Sequence, residues 1–293
     1  MHYINLHIKS DAKHADLIAD QLSKLGALSV SMQDDAKQDI FELHPGDNFL
    51  WDRVLVTGLF SNETVTTNLI GAICAELNLP SLEYKIENIE DQDWVRLTQQ
   101  HFKSQCYADK LWISPSWEDD TKKSGIIVKI DPGLAFGTGT HATTTLCLQW
   151  LATHPPKNKN VIDYGCGSGI LSLAALALGA NNVVAIDHDP QALIATKNNA
   201  NLNAFAKTEK LHIFSPETSQ AHAADIVIAN ILANPLIQLE STFTSLVKPH
   251  GNLILSGILT KEHQNVLDAY QHAFTLLKMQ TKEEWCLLAL QRK

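Results

Sequence analysis

The stretch Val161-Ile-Asp-Tyr-Gly-Cys-Gly-Ser-Gly-Ile170 decides the fold. An apolar run typical of a buried strand leads into three glycines at alternate positions, Gly165, Gly167 and Gly169, and an alanine-rich helical pattern begins at Ile170. Glycine lets the main chain turn sharply and lets a ligand lie directly against it. The stretch therefore predicts a strand, a ligand-binding turn and a helix in that order.

From residue 160 onward, strand and helix patterns alternate, which predicts a parallel sheet with helices on both faces. The predicted strands cover 161–163, 183–187, 211–214, 226–230 and 253–256, and the predicted helices cover 169–178, 190–203, 235–246 and 261–270. Two further strand patterns, 274–280 and 285–290, are separated by a short charged turn and predict a hairpin. The last strand should therefore run antiparallel, at or near an edge of the sheet.

The first third of the chain has a different pattern. Strand, helix, strand, strand, helix and strand are predicted at 2–8, 11–25, 28–32, 54–60, 64–77 and 82–89, the order of a ferredoxin-like α+β domain. The polar segment 90–100 predicts a connecting helix, and 110–117 and 126–130 predict two strands. We therefore predict a ferredoxin-like domain at 1–90, a connector of helix and strand at 91–125, and a Rossmann-like α/β domain at 126–293.

The charge is unevenly distributed along the chain. The net charge is −9, and residues 1–93 hold 16 acidic and 6 basic residues, so nearly all the acidity lies in the first third. Such a surface repels nucleic acid and attracts basic partners, although an ordinary solvated surface would have the same composition. We therefore expect a basic protein partner and no direct reading of nucleic acid.

Cysteine, histidine and hydropathy patterns restrict the class of protein. The five cysteines form no C-x-x-C pair, and the 13 histidines form no metal-binding cluster, so we expect reduced thiols and no metal. No apolar run approaches the roughly 20 residues of a membrane helix, and the N-terminus does not have the pattern of a signal peptide. These features indicate a cytoplasmic protein without a membrane span.

The predicted parallel sheet and its glycine turn indicate a class of ligand, a nucleoside. Ligands of such sheets bind at the carboxyl ends of the strands, and Asp187 ends the second predicted strand, where a carboxylate can accept the ribose hydroxyls. Asp187 could instead be a helix N-cap before Pro190. The glycine spacing is G-x-G-x-G rather than the G-x-G-x-x-G of dinucleotide sites, which favours S-adenosylmethionine over a nicotinamide cofactor.

Four segments of the chain resemble those of a known family. The glycine motif with Asp187-His-Asp-Pro190 is similar to the class I S-adenosylmethionine-dependent methyltransferases. Asp131-Pro-Gly-Leu-Ala-Phe-Gly-Thr-Gly-Thr-His141 and Ala229-Asn-Ile-Leu-Ala-Asn-Pro-Leu236 resemble the PrmA-type enzymes, which methylate protein eleven of the large ribosomal subunit. The resemblance spans the whole chain. It implies methyl transfer to lysine side chains and to the N-terminal α-amine, with the first domain recognising the substrate.

The resemblance also assigns residues. It implies that Thr144, Gly165, Gly167, Asp187 and Asn230 contact the methyl donor, and the neighbouring threonines Thr143 and Thr145 fit the first of these roles nearly as well. Asn230 is in addition a candidate for positioning the acceptor amine, because it lies where amino-methylating enzymes have the asparagine of their N-P-P-Y motif. No catalytic base is assigned.

Three alternative functions remain from the sequence alone. The chain could methylate lysine on a different protein or a small amine, or it could be a donor-binding adaptor without activity. A nicotinamide oxidoreductase is disfavoured by the glycine spacing.

Overall fold

The structure is a computed structural model that describes residues 3–35, 51–61, 68–77, 79–89, 102–131, 141–207, 209–219 and 221–293. The chain divides into two compact units, Met1–Leu97 and Thr98–Lys293. The predicted connecting helix at 90–100 and most of the loop after Asp131 lie outside the described residues. The division of the chain into three segments with separate roles stays a prediction.

The described residues of the first unit form a four-stranded antiparallel sheet and two helices. Its strands are β1 (Tyr3–Asp11), β2 (Ser29–Asp34), β3 (Arg53–Ser61) and β4 (Tyr84–Ile89), and its helices are α1 (Ala15–Lys24) and α2 (Asn68–Glu76). The strand order β2-β3-β1-β4 is that of a ferredoxin-like domain. Alternate residues of β1, such as Leu6 and Ile8, are buried with Ile18 and Leu22 of α1, so the pattern read from the sequence is confirmed.

The second unit begins with a small sheet. Its strands are β5 (Gln105–Tyr107), β6 (Leu111–Ser114) and β7 (Ile126–Lys129), with β5 antiparallel and β7 parallel to β6. Strand β5 was not predicted, because three residues are too few to show a period. The chain then enters α3 (Ala142–Thr153), whose N-cap is His141.

A seven-stranded, mostly parallel sheet forms the body of the second unit. Its strands are β8 (Asn160–Tyr164), β9 (Asn182–Ile186), β10 (Leu211–Phe214), β11 (Ala224–Asn230), β12 (Val247–Leu259), β13 (Phe274–Lys282) and β14 (Trp285–Arg292). The helices that connect them are α4 (Ile170–Ala177), α5 (Pro190–Asn201), α6 (Ala233–Gln238), α7 (Glu240–Leu246) and α8 (His263–Tyr270). Two separate apolar clusters cover the two faces of the sheet.

The strand order of this sheet places the site. The order is β10-β9-β8-β11-β12-β14-β13, so the chain leaves β8 toward β9 on one side and later returns to β11 on the other. Ligands of doubly wound sheets bind outside the carboxyl ends of the strands at this reversal. The last strand, β14, is antiparallel to both β12 and β13 and lies one position from the edge, which confirms the predicted hairpin.

Candidate active site

The glycine turn after β8 is built from positive backbone angles. Gly165, Gly167 and Gly169 have φ of 80°, 54° and 80°, a region that side chains strongly disfavour. The amides of Gly165 and Cys166 both donate to the carbonyl of Ile186, at 2.7 and 3.0 Å, which ties the turn to the end of β9. A Cβ atom at Gly165 would come within 2.5 Å of the Ile231 side chain. The sequence therefore needs glycine here for both conformation and space.

Asp187 follows β9 and faces this turn. Its side chain is largely buried, with 8% of the residue exposed. Its Oδ2 accepts a hydrogen bond from the Gly167 amide at 2.9 Å, and its Oδ1 accepts one from the Asp189 amide at 3.0 Å. The N-cap of α5 is Asp189, whose side chain accepts from the Gln191 amide. The alternative role of Asp187 as the helix cap is therefore wrong.

Asn230 ends β11 and presents an unsatisfied oxygen. Its Nδ2 donates to Oγ1 of the fully buried Thr144 at 3.3 Å, which fixes the orientation of the amide. Its Oδ1 is buried and has no hydrogen-bond partner among the described residues. A buried acceptor left unpaired carries a free-energy penalty unless a ligand supplies the donor.

These elements surround a cavity of about 660 Å³. Gly165, Asp187 and Asn230 line it, together with Thr143, whereas Thr144 and Gly167 lie behind the lining and support Asn230 and Asp187. The remaining wall is mainly apolar and includes Tyr164, Pro216, Ile231, Leu232, Pro235, Leu239 and Trp285. A mostly apolar cavity of this size with a few converging polar groups is typical of a small-molecule site.

Several residues of the cavity were missed by sequence reasoning, among them Gly257 and Trp285. Gly257 in β12 has φ of 83°, and a Cβ there would come within 2.3 Å of the Ile231 carbonyl oxygen. An isolated glycine inside a strand pattern does signal such a close approach, and this signal was available. Trp285 packs edge-on against His141, with ring centroids 5.1 Å apart, and this contact depends on a tertiary pairing that no local pattern reveals.

The cavity fits a nucleoside that carries an amino-acid tail. A carboxylate has about four acceptor positions, and the Gly167 and Asp189 amides occupy two at Asp187. The exposed His188 ring approaches Oδ1 at 3.5 Å, and its displacement by a ligand leaves two positions for a pair of ribose hydroxyls. The glycine turn offers main chain without side chains, and the Asn230 oxygen requires a donor from a ligand. The described residues contain no group of three His, Cys, Asp or Glu placed to hold a metal ion.

Comparison with known proteins decides the family. The family model for ribosomal protein L11 methyltransferase (PrmA) matches residues 2–293. The chain belongs to this family.

Individual relatives in this family match over nearly the whole chain. A ribosomal protein L11 methyltransferase of Haemophilus influenzae (strain PittEE) is 45% identical over 288 residues, which are 98% of this chain and 97% of that protein. One of Pasteurella multocida (strain Pm70) is 44% identical over 288 residues and 98% of each chain. The crystal structure of a ribosomal protein L11 methylase from Lactobacillus delbrueckii subsp. bulgaricus matches with a TM-score of 0.58 and 33% identity, over 66% of this chain and 100% of that one.

Membership of the L11 methyltransferase family confirms the predicted class of protein. The resemblance, the Rossmann-like fold, the transfer of methyl groups to protein and S-adenosylmethionine as the donor were all predicted and are borne out. None of the helices in the described part of the chain is long and apolar enough to cross a bilayer. The roles of Thr144, Gly165, Gly167, Asp187 and Asn230 toward the donor stay predictions.

A buried carboxyl group lies beneath the glycine turn. Asp163, near the end of β8, has 1% of its surface exposed. Its Oδ2 accepts from the amide and hydroxyl of Ser172 at 2.9 and 2.6 Å, and its Oδ1 has no partner in the described structure. Burial raises the pKa of Asp163 to about 6, although the Ser172 bonds oppose this. The folded protein therefore binds this proton more tightly than the unfolded chain does.

Replacing Asp163 by asparagine is expected to change the pH dependence of stability. Because the pKa of Asp163 is about 6 in the folded state against 3.8 in the unfolded chain, wild-type stability falls as pH rises through this window. Asp163→Asn has no such loss, so between pH 5 and pH 8 its free energy of unfolding should improve relative to wild type by about 1 kcal/mol. Urea unfolding at the two pH values measures this, and a difference independent of pH would contradict it.

Proposed function

We propose that this chain transfers methyl groups from S-adenosylmethionine to amines of ribosomal protein L11, namely lysine side chains and the N-terminal α-amine. The observation that carries the proposal is the cavity at the strand-order reversal, where the Asp187 carboxylate, the bare glycine turn and the unpaired Asn230 oxygen meet. The relatives named as L11 methyltransferases support the choice of substrate.

Each of the site residues has a separate role in binding the methyl donor. Asp187 holds the ribose hydroxyls, and the main chain of the glycine turn admits the amino-acid tail at Gly165, while Gly167 holds the Asp187 carboxylate. Thr144 acts through its hydrogen bond to Asn230. When bound, S-adenosylmethionine supplies a methyl group that its sulfonium already activates.

The chain itself must supply alignment and a suitable environment for the acceptor. Holding two reactants in the productive geometry contributes roughly 7–11 kcal/mol toward the barrier. A free lysine amine has a pKa near 10.4, so its deprotonation at pH 7 costs about 4.6 kcal/mol. The apolar wall formed by Leu232, Pro235 and Trp285 disfavours the charged ammonium and lowers its pKa. The Asn230 Oδ1 is placed to accept a hydrogen bond from the neutral amine.

The first unit is assigned to recognition of the substrate. Residues 1–93 carry 16 acidic against 6 basic residues, which favours a basic protein and disfavours direct binding of nucleic acid. A ribosomal protein as substrate supports a cytoplasmic location for the reaction.

Incubation with labelled S-adenosylmethionine tests the proposal. The full chain is mixed with ribosomal protein extract from cells that lack L11 methylation, and the labelled products are separated by size and identified by mass spectrometry. Label on L11 alone, on lysine and α-amine nitrogens, is expected. Label on another protein or on a small amine would identify that molecule, and not L11, as the substrate. Binding of the donor without any labelled product would indicate an adaptor.

A further inference from the structure

Helix α5 and the residue just past its C-cap bury a row of polar side chains beneath the glycine turn. Thr196, Asn199 and Asn203 have 0%, 4% and 3% of their surface exposed. Thr196 and Asn199 lie three positions apart on one face of α5, and Asn203 follows the C-cap residue Leu202 of that helix. Buried polar groups need hydrogen-bond partners, and here the partners are main-chain atoms of neighbouring segments.

Two members of the row hold consecutive carbonyls of the glycine turn. The Thr196 hydroxyl donates to the Gly167 carbonyl at 3.0 Å, and the Asn199 Nδ2 donates to the Ser168 carbonyl at 2.9 Å. The N–H and C=O of one trans peptide point to opposite sides. Anchoring the Gly167 carbonyl to α5 therefore turns the Ser168 amide away from that helix and fixes the plane of the peptide.

The Gly167 residue is thus held from two directions. Its amide donates to Asp187 after β9, and its carbonyl accepts from Thr196 in α5. Rotation of this residue would break both hydrogen bonds, so the conformation of the turn and the orientation of the Asp187 carboxylate depend on each other.

Asn199 also joins the turn to a second segment. Its Oδ1 accepts from the Asp131 amide at 3.0 Å, and the Asp131 carboxylate accepts from the amide and hydroxyl of Ser116, both at 2.7 Å. Asn203 forms a similar pair of hydrogen bonds, but with Lys129. Its Oδ1 accepts from the Lys129 amide and its Nδ2 donates to the Lys129 carbonyl, both at 2.8 Å. Asn203 has no hydrogen bond to the glycine turn among the described residues.

We propose that Thr196 and Asn199 are positioning residues for the methyl donor, which set the glycine turn in the conformation that binds it. They act through the Gly167 and Ser168 peptides. This inference rests on the proposed donor site.

The first test compares Thr196→Val with Thr196→Ser in the full chain. Valine keeps the shape and loses the hydroxyl, whereas serine keeps the hydroxyl and loses a methyl group. Calorimetric titration with S-adenosylhomocysteine should show about tenfold weaker binding for Thr196→Val and an affinity within about threefold of wild type for Thr196→Ser. The KM for S-adenosylmethionine should rise in Thr196→Val while kcat changes less.

The second test separates positioning from stability. Asn199→Leu removes a buried amide from α5, and Asn203→Leu removes one just past the C-terminus of that helix, so both lower the melting temperature. Weaker binding of S-adenosylhomocysteine in Asn199→Leu but not in Asn203→Leu supports the proposal. This comparison remains decisive even if Thr196→Val does not fold. Equal affinity in wild type and all folded variants, or equal loss in the two leucine variants, would overturn it. A wild-type chain that binds no S-adenosylhomocysteine would instead overturn the proposed function beneath it.

Discussion

Replacing Asp187 by alanine is expected to weaken donor binding on the order of 100-fold or more. The change removes two acceptor positions for the ribose hydroxyls, and hydrogen bonds to a charged group are worth about 1.5–3 kcal/mol each. It also removes the partner of the Gly167 amide, so the glycine turn loses one of its anchors. Calorimetry with S-adenosylhomocysteine measures the change in Kd.

Asp189→Ala is the matched control for this variant. Asp189 lies two residues away and caps α5 through the Gln191 amide, so its loss should reduce stability by about 0.5–2 kcal/mol. Because Asp189 does not line the cavity, donor affinity should stay within about threefold of wild type. The same loss of affinity in both variants would show that Asp187 acts through α5 and not on the donor.

Replacing Asn230 by alanine is expected to lower the methylation rate on the order of 100-fold at saturating donor. Its Oδ1 is a buried acceptor that lines the cavity and has no partner among the described residues. Loss of one preorganised polar group at a reacting centre typically has this magnitude. A single-turnover rate with L11 as acceptor separates this effect from donor binding.

The chain offers a control of the same residue type. Asn252 in β12 also has a buried Oδ1 without a partner among the described residues, but it pairs with Ile226, four residues before Asn230 along β11. Asn252→Ala should keep the methylation rate within about twofold of wild type, because that end of the strand lies roughly 13 Å from the site. Full activity of Asn230→Ala would rule out a role for its amide in aligning the amine.

The parts of the fold that local pattern determines could be predicted from the sequence. The alternating β and α segments and the glycine turn follow from periodicity and backbone freedom, and the carboxyl-end placement of Asp187 and Asn230 follows from the parallel sheet. For this reason the sheet, the hairpin and the location of the cavity could all be predicted from the sequence.

Tertiary contacts determine the features of the fold that the sequence did not predict. The predicted helix 235–246 is two helices, α6 and α7, which meet at Leu239. The Tyr270 hydroxyl donates to the Leu236 carbonyl at 2.6 Å, the acceptor that a continuous helix would use for the Glu240 amide. Strand β12 runs for 13 residues where four were predicted, because pairing with β11 and β14 extends it past the polar residues at its start.

The proposed pocket at the carboxyl ends of β8, β9 and β11 holds one nucleoside, the sulfonium donor. Calorimetric titration of the full wild-type chain with S-adenosylhomocysteine, beside a parallel titration with NAD, tests it most directly. One-to-one binding of S-adenosylhomocysteine that is lost in Asp187→Ala, with no heat from NAD, is the expected result. No binding of S-adenosylhomocysteine, or binding that Asp187→Ala leaves unchanged, would contradict the account.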